Sequence, residues 1–266
     1  MNLHHHKSGH GPNILLAFHG IGQDGLSCFQ PFTEKLSDYY TIYAFDLFFH
    51  GKSIETSDAD FSKSELITKE IWTQTIRRFL LNENISRFDI AGFSMGGRFA
   101  LATLESFAEQ IDKAFLIAPD GVSEHPLYSL ASRFSPTRTL FRWLMQRPEI
   151  LFKTAGALQK IGIVHSSLYR FTKHVLNTPE KRLSIYSSWV AFRKLHFDIP
   201  VLYQTIKSQE IKLYLFIGKY DKLLPPSAVK KLSVLLPVEN YLILQSGHSM
   251  LVEKTVSLLP ELLTRQ

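Results

Sequence analysis

Six stretches of the chain are apolar almost without interruption: residues 13–19, 41–46, 88–93, 113–118, 211–217 and 241–244. Runs of this length without polar alternation predict strands buried on both faces of a sheet. Turn formers bound them, with Gly11, Pro12 and Gly20 around the first and Pro119 and Gly121 after the fourth. Between the runs the apolar spacing lengthens to the helical period. Ile67, Ile71, Trp72, Ile76, Phe79 and Leu80 form one stripe, predicting a helix over 64–81 capped by Ser64. Residues 95–107 read as a helix after the third strand, and 227–236 and 249–263 as helices after the last two. Strand alternating with helix implies parallel pairing through right-handed crossovers. The expected class is therefore α/β: a mostly parallel sheet with helices on both faces.

The interval between Ala118 and Ile211 breaks this rhythm. It is too long for one crossover, yet it is not loop-like. Residues 140–152, with Phe141, Trp143 and Leu144, are amphipathic, and Pro136, Pro148 and Pro179 divide the interval into several helices. The pattern predicts a helical insertion over 121–205 in a core made of 1–120 and 206–266. Such an insertion sits at the carboxyl ends of the strands, where open parallel sheets bind ligands.

Composition narrows the class. Of 266 residues, 45% are hydrophobic and 20% charged, which excludes a disordered chain, and no apolar run is long enough to span a bilayer. The N-terminal residues carry no secretory pattern. The single Cys28 allows no intrachain disulfide and reads as a small buried residue, so the expected location is the reducing cytoplasm. The neighbouring His4, His5 and His6 point alternately to opposite faces of a strand, and no metal or organic cofactor is expected. Net charge is +6, concentrated in 121–205 with 12 Lys and Arg against 4 Asp and Glu, while the rest carries 18 against 20. No nucleic-acid-binding motif and no membrane anchor motif accompanies that charge. It reads as a solvated helical surface or as a cover that attracts an anionic small-molecule substrate. Nothing in the pattern sets an oligomeric state.

The chemistry centres on Gly92-Phe93-Ser94-Met95-Gly96, a G-x-S-x-G sequence between a strand and a helix. Its glycines leave room for backbone to pass close to a serine. A serine hydroxyl needs a base, and His248, between the last strand and the last helix, falls on the same sheet edge. The base needs a carboxylate to orient it; Asp221 follows the strand 211–217, with Asp120 as the rival. The order Ser94, Asp221, His248 is the one used by α/β-hydrolases. Two backbone donors for a developing oxyanion are expected at Met95, after the serine, and at Ile21, in the Gly-rich loop after the first buried strand.

With these pieces in place the chain resembles the α/β-hydrolase superfamily over nearly its whole length. The matching segments are His19-Gly20, residues 46–53 (DLFFHGKS), residues 92–97 (GFSMGG), residues 218–221 (GKYD) and residues 247–249 (GHS). Phe48 and Phe49 replace the Pro and Gly of the family's D-x-P-G-H-G-x-S segment. The resemblance implies an inserted cap that shapes the substrate pocket, structural roles for Asp46 and His50, and hydrolysis of an ester-like bond through an acyl-enzyme. Residues 94–98 (SMGGR) are also similar to the S-[ML]-G-G-R of the menaquinone-pathway 2-succinyl-6-hydroxy-2,4-cyclohexadiene-1-carboxylate synthases, which have Tyr where this chain has Phe93. That likeness implies a lyase in which Arg98 grips a substrate carboxylate, and it marks Arg98 and Phe93 as candidate substrate contacts. A third reading is a slow or non-catalytic ligand-binding protein on the same fold.

Overall fold

The computed structural model describes residues 3–54, 66–124 and 126–264. The chain runs β1 (His5–Ser8), β2 (Asn13–Phe18), α1 (Gly25–Leu36), β3 (Tyr40–Phe45), α2 (Lys69–Asn82), β4 (Phe88–Phe93), α3 (Gly96–Phe107) and β5 (Ile111–Ile117). The helices α4 (Pro126–Arg133), α5 (Ser135–Gln146), α6 (Pro148–Lys160), α7 (Ser166–Val175), α8 (Pro179–Ala191) and α9 (Ile199–Ser208) follow. The chain then returns to β6 (Lys212–Gly218), α10 (Lys230–Ser233), β7 (Tyr241–Leu244), α11 (Leu251–Val256) and α12 (Leu259–Thr264). No helix among the described residues is long and apolar enough to cross a membrane.

The strands form one seven-stranded sheet in the order β1-β3-β2-β4-β5-β6-β7, all parallel except β1, which pairs antiparallel with β3. Every residue of β4 is buried, as its unbroken apolar run requires. The chain moves from β2 outward to β3 and then back past β2 to β4, with Phe18 beside Gly92. The strand order therefore reverses between β2 and β4, and their carboxyl ends frame the crevice where such sheets bind ligands.

Four elements differ from the sequence reading. The edge strand β1 lies in the polar, His-rich segment, and what holds it is the ladder to β3 together with Asp46, whose carboxylate meets His6 Nε2 at 3.2 Å and accepts the Gly25 and Lys52 N–H groups at 2.8 Å each. The helix expected over 64–81 is α2, capped by Thr68, whose hydroxyl accepts the Ile71 N–H; Ser64 lies outside the described residues. The expected helices at 227–236 and 249–263 are shorter: a 3-10 turn leads into α10, and the second breaks into α11 and α12 ahead of Pro260.

The insertion has a small core of its own, with Met145, Val175, Leu176, Ile185, Tyr186 and Val190 buried together. Its far boundary falls earlier than 205. Leu195, Ile199, Leu202 and Ile206 all join the main core, and α9 runs straight across the expected boundary. The reason is amphipathicity: one face of α9 is apolar and packs against α3.

Trp72 on α2 is fully buried, and its Nε1 donates to Thr103 Oγ1 of α3 at 3.0 Å. Trp72→Ala removes the largest side chain between those helices and is expected to lower unfolding free energy by about 3–5 kcal/mol, read from urea denaturation.

Candidate active site

Ser94 ends β4 in a left-handed conformation, with φ +52. A non-glycine residue there is strained and persists only when its surroundings hold it. Three hydrogen bonds do so. Ser94 N–H donates to Ile117 O at 3.0 Å, and Ser94 O accepts the Gly97 and Asp120 N–H groups at 2.8 and 2.9 Å. The flanking glycines provide clearance. A Cβ on Gly96 would sit 1.9 Å from Phe18 O, and one on Gly92 would sit 2.7 Å from Ala100 Cβ. The first turn of α3 therefore rests directly on β2.

Around this turn three separate segments converge. Ser94 Oγ lies 3.1 Å from His248 Nε2, and His248 Nδ1 lies 2.6 Å from Asp221 Oδ2. Asp221 is buried, and its other oxygen accepts the N–H groups of Leu223 and Leu224 at 2.8 and 2.9 Å. The carboxylate is thus fixed before it meets the imidazole. Ser94 itself is only 8% exposed. The rival carboxylate, Asp120, is placed elsewhere: it takes Arg98 in a two-pronged pair, Nε to Oδ2 at 2.6 Å and Nη2 to Oδ1 at 3.2 Å.

Ile21, in the loop after β2, and Met95 line one cavity with Ser94 and His248. Neither the Ile21 nor the Met95 N–H donates to a protein acceptor among the described residues. Two histidines shape this loop, His19 of the matching His19-Gly20 segment and His50, which the resemblance marks as structural. His19 Nε2 accepts the Leu47 N–H at 3.0 Å and its Nδ1 meets Gly20 O at 2.7 Å. His50 Nε2 accepts the Gly22 N–H at 3.1 Å and its Nδ1 meets Phe48 O at 2.9 Å. Each ring donates through Nδ1 and accepts through Nε2, so each must be neutral. Burial lowers the His19 pKa to about 4, and burial with the neighbouring His19 ring lowers His50 to about 3.

The cavity is about 510 Å³ and lies between the sheet edge and the insertion. Its walls are mostly apolar, with Phe141, Leu144, Leu158, Phe171, Ile185 and Trp189 from the inserted helices. The two candidate substrate contacts are placed differently from expectation. Phe93 does not line the cavity; its ring lies against the His248 imidazole, centroids 4.9 Å apart. Arg98 does reach the wall, but its guanidinium is engaged by Asp120, by Leu195 O at 2.9 Å, and by the Tyr128 ring at 4.3 Å. Burial opposes its charge, and the Asp120 carboxylate nonetheless holds its pKa above the ordinary arginine value.

Of the two readings of the basic insertion, a solvated helical surface or a cover that attracts an anionic substrate, the cavity lining gives the second no described residue. Among the described residues, the Asp, Glu, Lys and Arg side chains lining the cavity are those of Arg98, Asp120 and Lys222, and none comes from 121–205. Most of the cover's described cations are at least partly exposed, while Arg182 is buried inside it and donates to Met145 O and Leu176 O. Among the described residues, the group able to hold a metal ion is His4, His6 and Asp46, with donor atoms within 4.8 Å of one another. His4 and His6 share a face because they are two residues apart on an extended strand. They sit at the β1 edge, and none of the three lines the cavity.

Residues 13–255 match the family described as the alpha/beta hydrolase fold. The chain belongs to that family. An uncharacterized protein of Mycobacterium tuberculosis (strain ATCC 25618 / H37Rv) is 32% identical over 117 residues, 44% of this chain; the match spans 32% of that relative's length. Among solved structures, a thermophilic esterase from Thermogutta terrifontis superposes with TM-score 0.68 at 15% identity, covering 98% of this chain and 92% of its own. The enol-lactonase from Burkholderia xenovorans LB400 gives TM-score 0.62 at 19% identity, covering 99% and 96%. At these identities the two structures speak to the α/β-hydrolase fold alone.

The neutral histidines make stability pH-dependent with a definite sign. Their folded pKa values lie below the ordinary 6.5. The unfolded chain therefore binds more protons as pH falls, and stability present above 6.5 is lost toward pH 4 and 3. Unfolding free energies from urea denaturation should fall between pH 6.5 and 5.5 by about 1 kcal/mol for each histidine. His50→Asn should remove about half of that slope, whatever it does to stability at pH 8.

Proposed function

We propose that the protein hydrolyses carboxylic esters of apolar acyl groups through an acyl-enzyme. The observation that carries this reading is the hydrogen-bonded sequence Ser94 Oγ, His248, Asp221, with 3.1 and 2.6 Å separations. Ser94 Oγ attacks the ester carbonyl carbon while His248 Nε2 takes its proton. Asp221 holds Nδ1 protonated and stabilises the imidazolium. The carbonyl oxygen, now an anion, accepts the N–H groups of Ile21 and Met95, which have no protein acceptor among the described residues. Collapse of the tetrahedral species breaks the bond to the alcohol oxygen, and His248 returns its proton to that oxygen. Water then attacks the acyl-enzyme, with His248 as base, and releases the carboxylic acid and free Ser94.

The walls support the acyl specificity. A cavity whose lining is mostly Leu, Ile, Val, Phe and Trp favours hydrocarbon over charge. The lyase alternative needs a cation free to grip a carboxylate. Arg98 is already neutralised by Asp120 in two-pronged geometry, which weighs for the ester. Phe93 and Phe171 flank the His248 ring and serve as positioning residues. The absence of charged cap residues from the lining points the same way.

A fluorophosphonate probe should label wild type and not Ser94→Ala, and Asp221→Asn should slow labelling by about 10³-fold or more. A folded wild-type sample that takes no label supports the ligand-binding reading instead. In a series of p-nitrophenyl esters from acetate to octanoate, kcat/KM should rise by roughly fourfold per added CH2 while the chain still finds apolar wall, since each buried CH2 is worth ~0.8 kcal/mol. A preference for acetate sinks the apolar-acyl assignment.

A further inference from the structure

Among the described residues, no Asp, Glu, Lys or Arg of the insertion lines the cavity. Arg182 is buried among its helices, the other described cations are at least partly exposed, and the outer surface that carries them is not purely polar. Each of three helices has two distinct faces. On α5, Phe141, Leu144 and Met145 line the cavity, while Leu140, Trp143 and Arg147 are exposed on the opposite side. On α6, Leu151, Ala155 and Leu158 face inward, while Ile150, Lys153 and Lys160 are exposed. On α7, Leu168, Phe171 and Val175 face inward, while Arg170 and Lys173 are exposed. The α6–α7 connection adds Ile161 and Ile163, each 69% exposed. These helices pack in succession, α5 on α6 and α6 on α7, so their outward faces together form the roof of the cavity.

Over residues 135–175 the chain carries seven Lys and Arg and a single acid, Glu149. Among the described residues, Arg147, Lys153, Lys160, Arg170 and Lys173 make no ion pair with a carboxylate. Arg147 instead lies over the Trp143 ring at 4.6 Å. Exposed Leu, Ile and Trp interleaved with unmatched cations suit a surface that offers hydrocarbon and anionic groups in one layer. A nucleic acid offers the anions without the hydrocarbon, and a second copy of this chain brings the same positive charge against itself.

We propose that the outer face of α5–α7 docks reversibly on an anionic phospholipid membrane, with the cations at the headgroups and Trp143, Ile161 and Ile163 entering the interface. The inference rests on exposure and charge, and it stands or falls apart from the proposed reaction. Docking sets the roof of an apolar cavity against the phase in which apolar acyl compounds dissolve.

The test is co-sedimentation of the full chain with large vesicles of phosphatidylcholine, alone or with about 30% phosphatidylserine. Binding to the mixed vesicles should exceed binding to pure phosphatidylcholine by about tenfold at 0.1 M salt and be largely lost at 0.5 M. Trp143 emission should shift to the blue on the mixed vesicles and not in Trp143→Phe. The double variants Lys153→Glu with Lys160→Glu, and Ile161→Ser with Ile163→Ser, should each cut binding by about tenfold. All four positions are exposed, so thermal melting should match wild type and certify the fold. Equal binding to both vesicle types, indifference to either double variant, or retention on duplex nucleic acid or self-association in place of vesicle binding each overturns the proposal.

Discussion

The site depends on the left-handed backbone at Ser94. A strand and a helix can meet at so sharp an angle only if one residue between them turns the wrong way for an L-amino acid. That conformation costs on the order of 1–3 kcal/mol. It is held by the Ile117 carbonyl at the end of β5 and by the Asp120 amide of the segment that follows, both bonded to the Ser94 backbone. Clearance comes from Gly92 and Gly96, where any side chain would strike Ala100 or the Phe18 carbonyl. The strain has a chemical product: the hydroxyl stands clear of the chain, beside an N–H at the start of a helix, at the point where the strand order reverses.

The rest of the site is a matter of fixing other segments against that turn. Asp221 is anchored by two backbone amides before it meets His248. His19 and His50 act as neutral connectors, each joining one N–H to one carbonyl across the loops that follow β2 and β3. A protonated imidazole would lose its acceptor nitrogen and orphan the Leu47 or Gly22 amide. The loop that carries Ile21 is thus set by groups whose protonation state is part of the geometry.

Much of this was legible in the chain itself, for reasons that differ by element. Buried parallel strands announce themselves as unbroken apolar runs, so β2 to β7 stand out to within about two residues. The Ser94 turn is legible because glycines between strand and helix have few other uses. By contrast β1 was hidden, since a strand held by a ladder and an Asp46–His6 contact needs no apolar pattern. The extent of α9 was hidden for the opposite reason: its apolar face looks the same whether it packs on the insertion or on α3. Arg98 was the most instructive residue. Its neighbours in sequence suggest a ligand for a carboxylate, and its neighbours in space supply one, Asp120, from this chain. Only the fold shows that the partner is already present, and only the fold shows that no described charged side chain of the insertion lines the cavity.

That same arginine has a mechanical consequence. Asp120 stands where the chain leaves the sheet for the insertion, and Leu195 stands where it comes back. Arg98, one turn into the helix that begins behind Ser94, binds both. One guanidinium therefore rivets the two roots of the cover to the element that carries the nucleophile. A lid fastened in this way does not lift off as a block. The fastening sits at the roots and not on α5, α6 or α7, so the helices that roof the cavity are not tied to the nucleophile's helix through this guanidinium.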